Sequence, residues 1–464
     1  MSAPLLVAGV DSSTQNCKLL VVDAASGRIV RRASAPHPDG TAVAPGRWWD
    51  ALIAATSGML DGVAALSVAA QQHTAIFLDA HGESIRDAIL WNDVRAADAG
   101  LALRAHWGRE RWTTEIGLVP TGAHPVAKLR WLRDNEPGNA ARLAHVLLPH
   151  DWLTWNLLAR PAEATTDRSD ASSTGYWSVP GSGYSSRAAE LAFGRPIASP
   201  RVLGPRERAG TTRAGLVLGA GCGDNPAAAL GLSAGPDEII LSVGTSMTAT
   251  AVSASPLHDP DGVVDDMADA TGRFLPIVTS LNGARVLVAV ARLLSIDLDA
   301  FDELASLAAG DAEGLCLLPY LDGERHPPFP SSTGALLGVT RSNLRPENLA
   351  RAAVLGVAAA AADSIAHLRR AGVTADRVTM IGGGSRSRSL RQAVATLTGL
   401  VVVHPRSEEY AAYGAARQAH WALTGRLPDW QRDDGSVTAP DPDASWRAEV
   451  LERHADHGAR LFGG

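Results

Sequence analysis

The sequence predicts an α/β protein built from two domains. Its 464 residues are 46% hydrophobic and 20% charged, a composition that excludes disordered and collagen-like chains. Short apolar runs alternate with helical patterns along the chain, which is typical of α/β folds. A strand–turn–strand layout occurs twice, about half the chain apart. This spacing favours two related halves over the three domains that the length would also accommodate.

The first hairpin opens the chain. Apolar runs at 5–10 and 19–22 flank a polar segment, so we expect a strand, a turn and a second strand. Asp11 ends the first strand, where a carboxylate can hold Mg²⁺ through water. The hydroxyl and amide groups of residues 12–14 suit phosphate oxygens. An Asx-turn that caps the hairpin is the alternative explanation of the same residues.

A second polar segment lies between the two hairpins, after predicted strands at 66–70 and 146–148 and a predicted helix at 128–133. Three glycines in the segment 219–225 allow close backbone approach and leave Asp224 at its tip. A carboxylate there can act as a general base. A tight turn that ends in Asp-Asn-Pro is the alternative.

The second hairpin comprises predicted strands at 238–243 and 248–252 around a Gly-Thr-Ser-Met turn. An Ala-rich helix at 348–371 follows, then a strand and the turn Gly382-Gly383-Gly384. This turn can admit an adenosine diphosphate moiety against bare backbone, although it matches neither the dinucleotide nor the P-loop pattern. The segment 429–445 is predicted to be a loop before a last surface helix.

The composition also limits the partners. The net charge is −7 and no basic run is long enough for a nucleic-acid-binding arm, so we expect a small-molecule partner. The three scattered cysteines indicate reduced thiols. The start lacks the basic segment of a signal peptide, and the longest apolar stretch, 352–362, is shorter than the ~20 residues of a membrane span. We therefore expect a cytoplasmic protein that binds neither nucleic acid nor membranes.

Taken in order, the motifs resemble those of the FGGY carbohydrate kinases, and within that family those of the xylulokinases. The segment from Asp11 to Lys18 is similar to the family's Asp-x-Gly-Thr-x-x-x-Lys, and Gln71-Gln72-His73 is similar to the Gln-Met-His of xylulokinases. Each motif is weak alone, but their common order makes the match specific. The other matching segments are 45–49, 89–95, 128–132, 223–225, 244–246, 319–325, 334–349, 382–384 and 414–416.

The resemblance implies two ribonuclease-H-like, actin-like ATPase domains, residues 1–235 and 236–464, with the active site in the cleft between them. It also implies ATP-dependent, Mg²⁺-assisted phosphorylation of a sugar hydroxyl, with D-xylulose as the expected substrate and D-xylulose 5-phosphate as the product. Asp224 occupies the general-base position, and Asp11 the position that serves Mg²⁺ and the phosphates. The implied sugar contacts are Gln72, His73, Trp91, Asp93 and Asn225, and the implied nucleotide contacts are Thr14, Lys18, Gly244, Thr245, Gly383 and Gly384.

Three departures from the family pattern leave alternatives open. Ser12-Ser13 replaces the usual x-Gly in the first phosphate turn, Gln72 replaces a Met beside the sugar, and Arg388 stands where several relatives have Asn near the adenosine. Another ketose or a polyol, such as ribulose, arabinitol or glycerol, is the alternative substrate. A non-catalytic ATP-binding regulator of the actin-like clan is the alternative of a different class. A homodimer is compatible with the resemblance.

Overall fold

The computed structural model describes residues 4–329, 331–406 and 409–463. These residues form two compact units, each with its own sheet and core. Two segments from the second half of the chain fold with the first half, so the chain passes between the units more than once. The first unit consists of described residues from 1–234, 253–275 and 409–432, and the second of those from 235–252, 276–408 and 433–464.

A mixed sheet of seven described strands forms the centre of the first unit. Its central strand, Val63–Ala70, pairs in parallel with Leu6–Ser12 on one side and with Val217–Gly219 and Cys222–Gly223 on the other. Leu6–Ser12 is buried along its whole length, as expected for an apolar strand covered on both faces. The edge strands pair antiparallel: Asn16–Asp23 and Ile29–Pro36 beyond Leu6–Ser12, and Arg208–Thr211 beyond Val217–Gly219.

The helix Tyr410–Thr424 packs directly on this sheet, although it comes from the last part of the chain. A Cβ on Gly9 would lie 2.0 Å from a carbonyl oxygen of that helix, so only glycine allows this approach. A Cβ on Gly414 would lie 1.9 Å from the carbonyl oxygen of Ala227, in the helix Asp224–Gly231. Tyr410–Thr424 therefore holds both the sheet and the helix that begins at Asp224.

The first unit contains further helices and short strands, and several of the helices share a hydrophobic cluster of their own. The helices are Gly46–Thr56, Ala97–Trp107, Arg109–Glu115, Pro125–Asn135, Pro137–Arg142, Pro149–Leu157, Arg168–Ser172 and Ser186–Phe193. Short strands pair as Ala42–Val43 with Ala88–Ile89, Ile76–Leu78 with His145–Leu147, Thr165–Asp167 with Arg201–Leu203, and Trp177–Ser178 with Gly183–Tyr184.

The second unit repeats the arrangement of the first around a sheet of six described strands. The hairpin Glu238–Val243 and Met247–Ala251 extends antiparallel to Ile277–Ser280, and Glu238–Val243 pairs in parallel with Arg377–Ile381. In both units, three consecutive antiparallel strands form one side of the sheet, and the strand that comes first in the chain pairs in parallel with the next strand of the sheet. The predicted recurrence of the hairpin layout is therefore confirmed.

The second unit has two further strands in its sheet, together with helices and a separate strand pair. Val401–His404 adds in parallel to Arg377–Ile381, and Ser436–Thr438 adds antiparallel at the edge. The helices are Arg285–Leu294, Leu298–Ser306, Pro346–Arg370, Arg388–Thr398 and Arg447–Phe462, with 3₁₀ turns at Ala312–Gly314 and Gly383–Arg386 and the strand pair Cys316–Leu318 and Ala335–Leu337.

Two local predictions need correction. The predicted loop 429–445 contains the strand Ser436–Thr438, whose residues are mostly exposed and therefore carry no hydrophobic pattern. The alternative of a tight turn ended by Asp-Asn-Pro is also wrong, because Asp224 and Pro226 lie in the first turn of a helix. Proline is tolerated there, since the first amides of a helix have no intrahelical acceptor.

One described helix, Pro346–Arg370, is long and apolar enough to cross a bilayer by length and composition alone. Most of its apolar stretch is buried within the protein, which is the pattern of a core helix. The predicted apolar stretch ends at Asp363, but the helix continues past that residue, whose side chain is partly exposed.

Candidate active site

Three neighbouring parallel strands bring the predicted site residues of the first unit together. Asp11 and Cys222 lie opposite the same residue of the central strand, one on each side. Parallel strands end at the same edge of a sheet, where such folds bind their ligands. Gln72 and His73 follow the central strand at this edge, and Asp224 lies two residues after Cys222.

Asp11 is a buried carboxylate with one unsatisfied oxygen. Ser13 Oγ donates a hydrogen bond to its Oδ2 at 3.3 Å, whereas Oδ1 has no hydrogen-bond partner among the described residues. Burial raises the pKa of Asp11 to about 6, although Lys18 opposes this shift. A hard divalent cation prefers such a carboxylate oxygen, so the residues here fit Mg²⁺.

Lys18 lies opposite Asp11 in the hairpin, and its side chain forms an ion pair with Glu409. Its Nζ is 2.8 Å from Oε2 of Glu409, and both side chains are about one third exposed. Solvent weakens a pair of this kind, so it can exchange partners at low cost. Glu409 belongs to the segment that returns to the first unit, and no sequence pattern indicated its presence here.

Asp224 is the first residue of the helix Asp224–Gly231, a position that favours negative charge. Its Oδ1 accepts a hydrogen bond from the amide of Asn225 at 2.9 Å. Burial raises the pKa of Asp224 to about 7, and the carboxylates of Asp11 and Asp170 add to the shift. A carboxyl group that titrates near neutrality is suited to accept a proton from a hydroxyl.

Gln72 and Asn225 form a polar chain that ends on Asp224. The amide nitrogen of Asn225 donates to Gln72 Oε1 at 3.2 Å and to Asp224 Oδ1 at 3.1 Å. On its other side, Gln72 Nε2 lies 3.5 Å from the carbonyl oxygen of Ser169 and 3.9 Å from the sulfur of Met267. Met267 comes from the returning segment 253–275, which the sequence analysis left without a role.

His73 is held rigidly beside this chain. Its φ of 63° is a left-handed conformation that is uncommon outside glycine. Its Nδ1 donates to the carbonyl oxygen of Ser173 at 3.0 Å, and its ring packs edge-on against His124. The buried Lys128 Nζ donates to the carbonyl oxygens of His73 at 2.7 Å and of Ile89 at 3.0 Å. The family-like helix at 128–132 thus supports the loop that presents His73.

Trp91 connects the expected sugar and nucleotide residues of this unit, because its Nε1 donates to Thr14 Oγ1 at 2.9 Å. Asp93, two residues on, accepts hydrogen bonds from Arg95 and Thr41 at 2.8 Å. Burial opposes ionisation of Asp93, but the bonds from Arg95 and Thr41 lower its pKa overall. These partners favour a structural role in the loop that carries Trp91, and the contact of Asp93 with the sugar stays a prediction.

In the second unit, the turn after Glu238–Val243 is tight and supported from behind. The amide of Gly244 donates to the carbonyl oxygen of Ser246 at 2.9 Å, and Thr245 is exposed. A Cβ on Gly283 would lie 2.5 Å from that same carbonyl oxygen, so the start of the following helical segment approaches the turn closely. Arg285 Nε donates to the carbonyl oxygen of Thr245 at 3.0 Å.

The second glycine turn packs beside the first. A Cβ on Gly382 would lie 2.7 Å from the carbonyl oxygen of Val243, and one on Gly384 would lie 2.7 Å from the Cγ1 of the same residue. A Cβ on Gly383 would meet no atom within 4 Å. The predicted nucleotide residues of this unit therefore lie together, with Gly384 packed and Gly383 open.

Sequence reasoning missed a buried polar group in the first unit. The group consists of His150, Asp151, Asp167 and Asp170, which come from three elements, and each of the three carboxylates lies within ion-pair distance of a ring nitrogen of His150. The Pro-His-Asp and Thr-Asp-Arg-Ser-Asp segments are visible in the sequence. No rule of spacing joins them, because their contacts depend on how distant elements pack.

Comparisons with known proteins agree with this arrangement. The family models for the N-terminal and C-terminal domains of the FGGY family of carbohydrate kinases match residues 6–231 and 239–423. The chain is 39% identical to the xylulose kinase of Streptomyces rubiginosus, over 99% of this chain and 95% of that protein. It is 40% identical to the xylulose kinase of Streptomyces coelicolor, over 90% of this chain and 88% of that protein.

A solved structure gives the same result for the fold. The crystal structure of xylulose kinase from Bifidobacterium adolescentis matches with a TM-score of 0.88 at 37% identity, and covers 98% of this chain and 100% of that one. Family models and relatives both span most of the sequence. The chain therefore belongs to the FGGY family of carbohydrate kinases, has their two-domain fold, and is a sugar phosphotransferase.

Proposed function

We propose that this chain is an ATP-dependent xylulose kinase that converts D-xylulose and ATP to D-xylulose 5-phosphate and ADP. The observation that carries the proposal is the position of Asp224, a carboxyl group with a pKa near neutrality that is joined to Gln72 through Asn225. Full-length relatives at 39% and 40% identity carry the name xylulose kinase, which supports D-xylulose as the sugar.

In the proposed reaction, Asp224 accepts the proton of the terminal sugar hydroxyl as that oxygen forms its bond to the γ-phosphorus. The bond between this phosphorus and the bridging oxygen of ATP breaks, and ADP leaves with the electron pair. A positioned base accelerates such a step by about 10²- to 10⁴-fold. We propose Gln72, His73, Trp91 and Asn225 as the residues that orient the sugar.

Mg²⁺ is the proposed metal and would be held by Asp11. Its buried, unsatisfied Oδ1 is the observation that supports this role. When bound, the ion neutralises phosphate charge. The proposed nucleotide contacts are Thr14, Lys18, Gly244, Thr245, Gly383 and Gly384, and the open space at Gly383 supports a close approach of the nucleotide to the backbone. We propose a cytoplasmic location, because a free sugar and ATP meet there.

The test of this function is ADP release with MgATP across a panel of sugars and polyols. The panel contains D-xylulose, D-ribulose, L-ribulose, L-xylulose, D-fructose, glycerol, xylitol and D-arabinitol. We expect D-xylulose to give the highest kcat/KM. A higher value for another member would overturn the substrate assignment but keep the kinase. Loss of sugar-dependent turnover with every member would favour the non-catalytic regulator.

A further inference from the structure

The buried polar group of the first unit consists of one histidine and three carboxylates. His150 and Asp151 lie in the first turn of the helix Pro149–Leu157, Asp167 ends the strand Thr165–Asp167, and Asp170 lies in the helix Arg168–Ser172. His150, Asp151 and Asp170 are fully buried, and Asp167 is nearly so. Carboxylates are stable in such an environment only when a cation or a set of hydrogen-bond donors compensates them.

The imidazole ring of His150 faces carboxylate oxygens through both nitrogens. Nδ1 is 2.5 Å from Oδ2 of Asp170, and Nε2 is 3.2 Å from Oδ1 of Asp151 and 4.0 Å from Oδ1 of Asp167. A neutral imidazole carries one N–H, so one of its nitrogen lone pairs would point at a carboxylate oxygen. The doubly protonated imidazolium carries an N–H on each nitrogen. Its Nδ1 donates to Oδ2 of Asp170, whereas Nε2 and Oδ1 of Asp151 have no hydrogen-bond partner among the described residues and attract each other as opposite charges.

The titration of the group agrees with this geometry. Burial by itself would lower the pKa of His150, but the carboxylates of Asp151 and Asp170 outweigh burial and raise it to about 10. Burial raises the pKa of Asp151 and of Asp170 to about 6, so both are ionised near pH 7. The other titratable groups that act on these carboxylates or respond to them are Asp167, Tyr176, Tyr184, Cys222 and Asp224.

The same group supports the backbone that leads to Asp224. Gly221 has a φ of +83°, and a Cβ there would lie 2.2 Å from Cδ2 of His150, so the ring packs against the bare backbone. The hydroxyl of Ser169 donates to Asp167 Oδ1 at 2.9 Å and accepts from the amide of Gly223 at 3.0 Å. Gly223 is the residue immediately before Asp224. His150 therefore packs against the start of the segment 221–223, and Ser169, which hydrogen-bonds to Asp167, contacts its end.

We propose that His150 is a positioning residue, a buried imidazolium that Asp151 and Asp170 hold against Gly221 so that Asp224 is fixed at the start of its helix. His150 acts through this backbone segment and touches neither sugar nor nucleotide. The inference rests on the proposed role of Asp224 as the base. A metal ion is the competing cation, because ligand atoms of His150, Asp151 and Asp170 lie within 4.8 Å of one another.

Two variants separate charge from shape at this position. In His150→Gln the positive charge is lost, and in His150→Lys it is kept. We expect His150→Gln to lower kcat at least tenfold while KM for ATP changes less than twofold, and His150→Lys to recover part of the loss. The matched control is His454→Gln, a buried histidine of the second unit whose pKa is lowered, and we expect its kcat to stay within twofold of wild type. Unchanged kcat in His150→Gln would overturn the proposal.

A spectroscopic measurement keeps the proposal testable even if a variant fails to fold. In ¹⁵N-histidine-labelled wild-type protein, we expect both ring nitrogens of His150 to give imidazolium shifts from about pH 6 to 9, in line with carboxylate neighbours. A neutral ring at pH 7.5 would overturn the proposal, and so would one equivalent of bound metal after dialysis against chelator. Wild type that turns over no sugar would overturn the proposed function instead, while the ring shifts would still report on the histidine.

Discussion

Asp224 owes its chemistry to its surroundings. An aspartate in water has a pKa near 4 and is too weak a base for a sugar hydroxyl near neutrality. Burial and the carboxylates of Asp11 and Asp170 raise the pKa of Asp224 to about 7. The amide of Asn225 and the start of the helix limit this shift by stabilising the ionised form. The side chain is thus partly ionised near pH 7 and is a stronger base there than an aspartate in water.

This titration predicts the pH dependence of catalysis. Only the ionised carboxylate accepts a proton, so kcat/KM for the sugar should rise with pH up to about 7 and level off above it. The measurement is the kcat/KM profile from about pH 5.5 to 9, where this parameter reports groups of the free enzyme. The residual activity of Asp224→Asn should lack this rise. A flat wild-type profile between about pH 5.5 and 8 would contradict the assignment of Asp224 as base.

Gln72 makes a second prediction at this scale. Its Oε1 accepts from the amide of Asn225, a bond that a methionine at this position could not make well. Net loss of one hydrogen bond corresponds to about 0.5–1.5 kcal/mol, so Gln72→Met should raise KM for the sugar about two- to thirteenfold. Steady-state kinetics with Gln392→Met, on a helix of the second unit, provides the control. An unchanged KM in Gln72→Met would show that the hydrogen bond between Gln72 and Asn225 does not help to orient the sugar.

Among the elements, the helix Tyr410–Thr424 positions the site from a distance. It packs on the strand that carries Asp11 and on the helix that begins at Asp224. Its contacts depend on glycines, since the neighbouring backbone leaves no room for a Cβ at Gly9 or Gly414. Both proposed catalytic carboxylates, Asp11 and Asp224, therefore depend on one helix from the last part of the chain.

We expect Gly414→Ala to be destabilising, because its Cβ would meet the carbonyl oxygen of Ala227 at 1.9 Å. Forcing a methyl group into such a contact costs about 1–3 kcal/mol of the free energy of unfolding. Urea denaturation measures this difference. In the control Gly138→Ala, the new Cβ meets no atom within 4 Å, so the change should be neutral or slightly stabilising. Equal stabilities of the two variants would refute the packing argument.

Local signals account for the elements that the sequence predicts well. Both hairpins and the strand after the Ala-rich helix are marked by short apolar runs, the helix is marked by its long apolar stretch, and the structure has them at the expected places. Ser436–Thr438 is exposed and becomes a strand only because Val401–His404 offers an edge. Asp11 and Asp224 stand in recognisable motifs, whereas Glu409, Met267 and His150 reach the site through long-range packing that no local pattern encodes.

For the whole molecule, the path of the chain between its units has consequences for folding. The first unit needs residues 253–275 and 409–432, which follow most of its sequence by long intervals. A fragment of residues 1–235, the N-terminal domain expected from the sequence, lacks both segments. It would expose the apolar face that Tyr410–Thr424 covers.

We therefore expect the 1–235 fragment not to fold on its own. Circular dichroism in the near ultraviolet and urea denaturation should show no fixed tertiary packing and no cooperative transition, while the full chain shows both. A cooperative transition of the fragment with native-like near-ultraviolet signal would show that the returning segments are dispensable for folding.

The central claim is that Asp224 is the base of a sugar kinase, and one experiment separates its role in chemistry from binding. D-xylulose binding by calorimetry and D-xylulose-dependent ADP release are measured side by side for wild type and Asp224→Asn. We predict that the variant binds the sugar within a few-fold of wild type and loses about 10²- to 10⁴-fold in kcat. Sugar-dependent turnover within a few-fold of wild type in Asp224→Asn would contradict the claim.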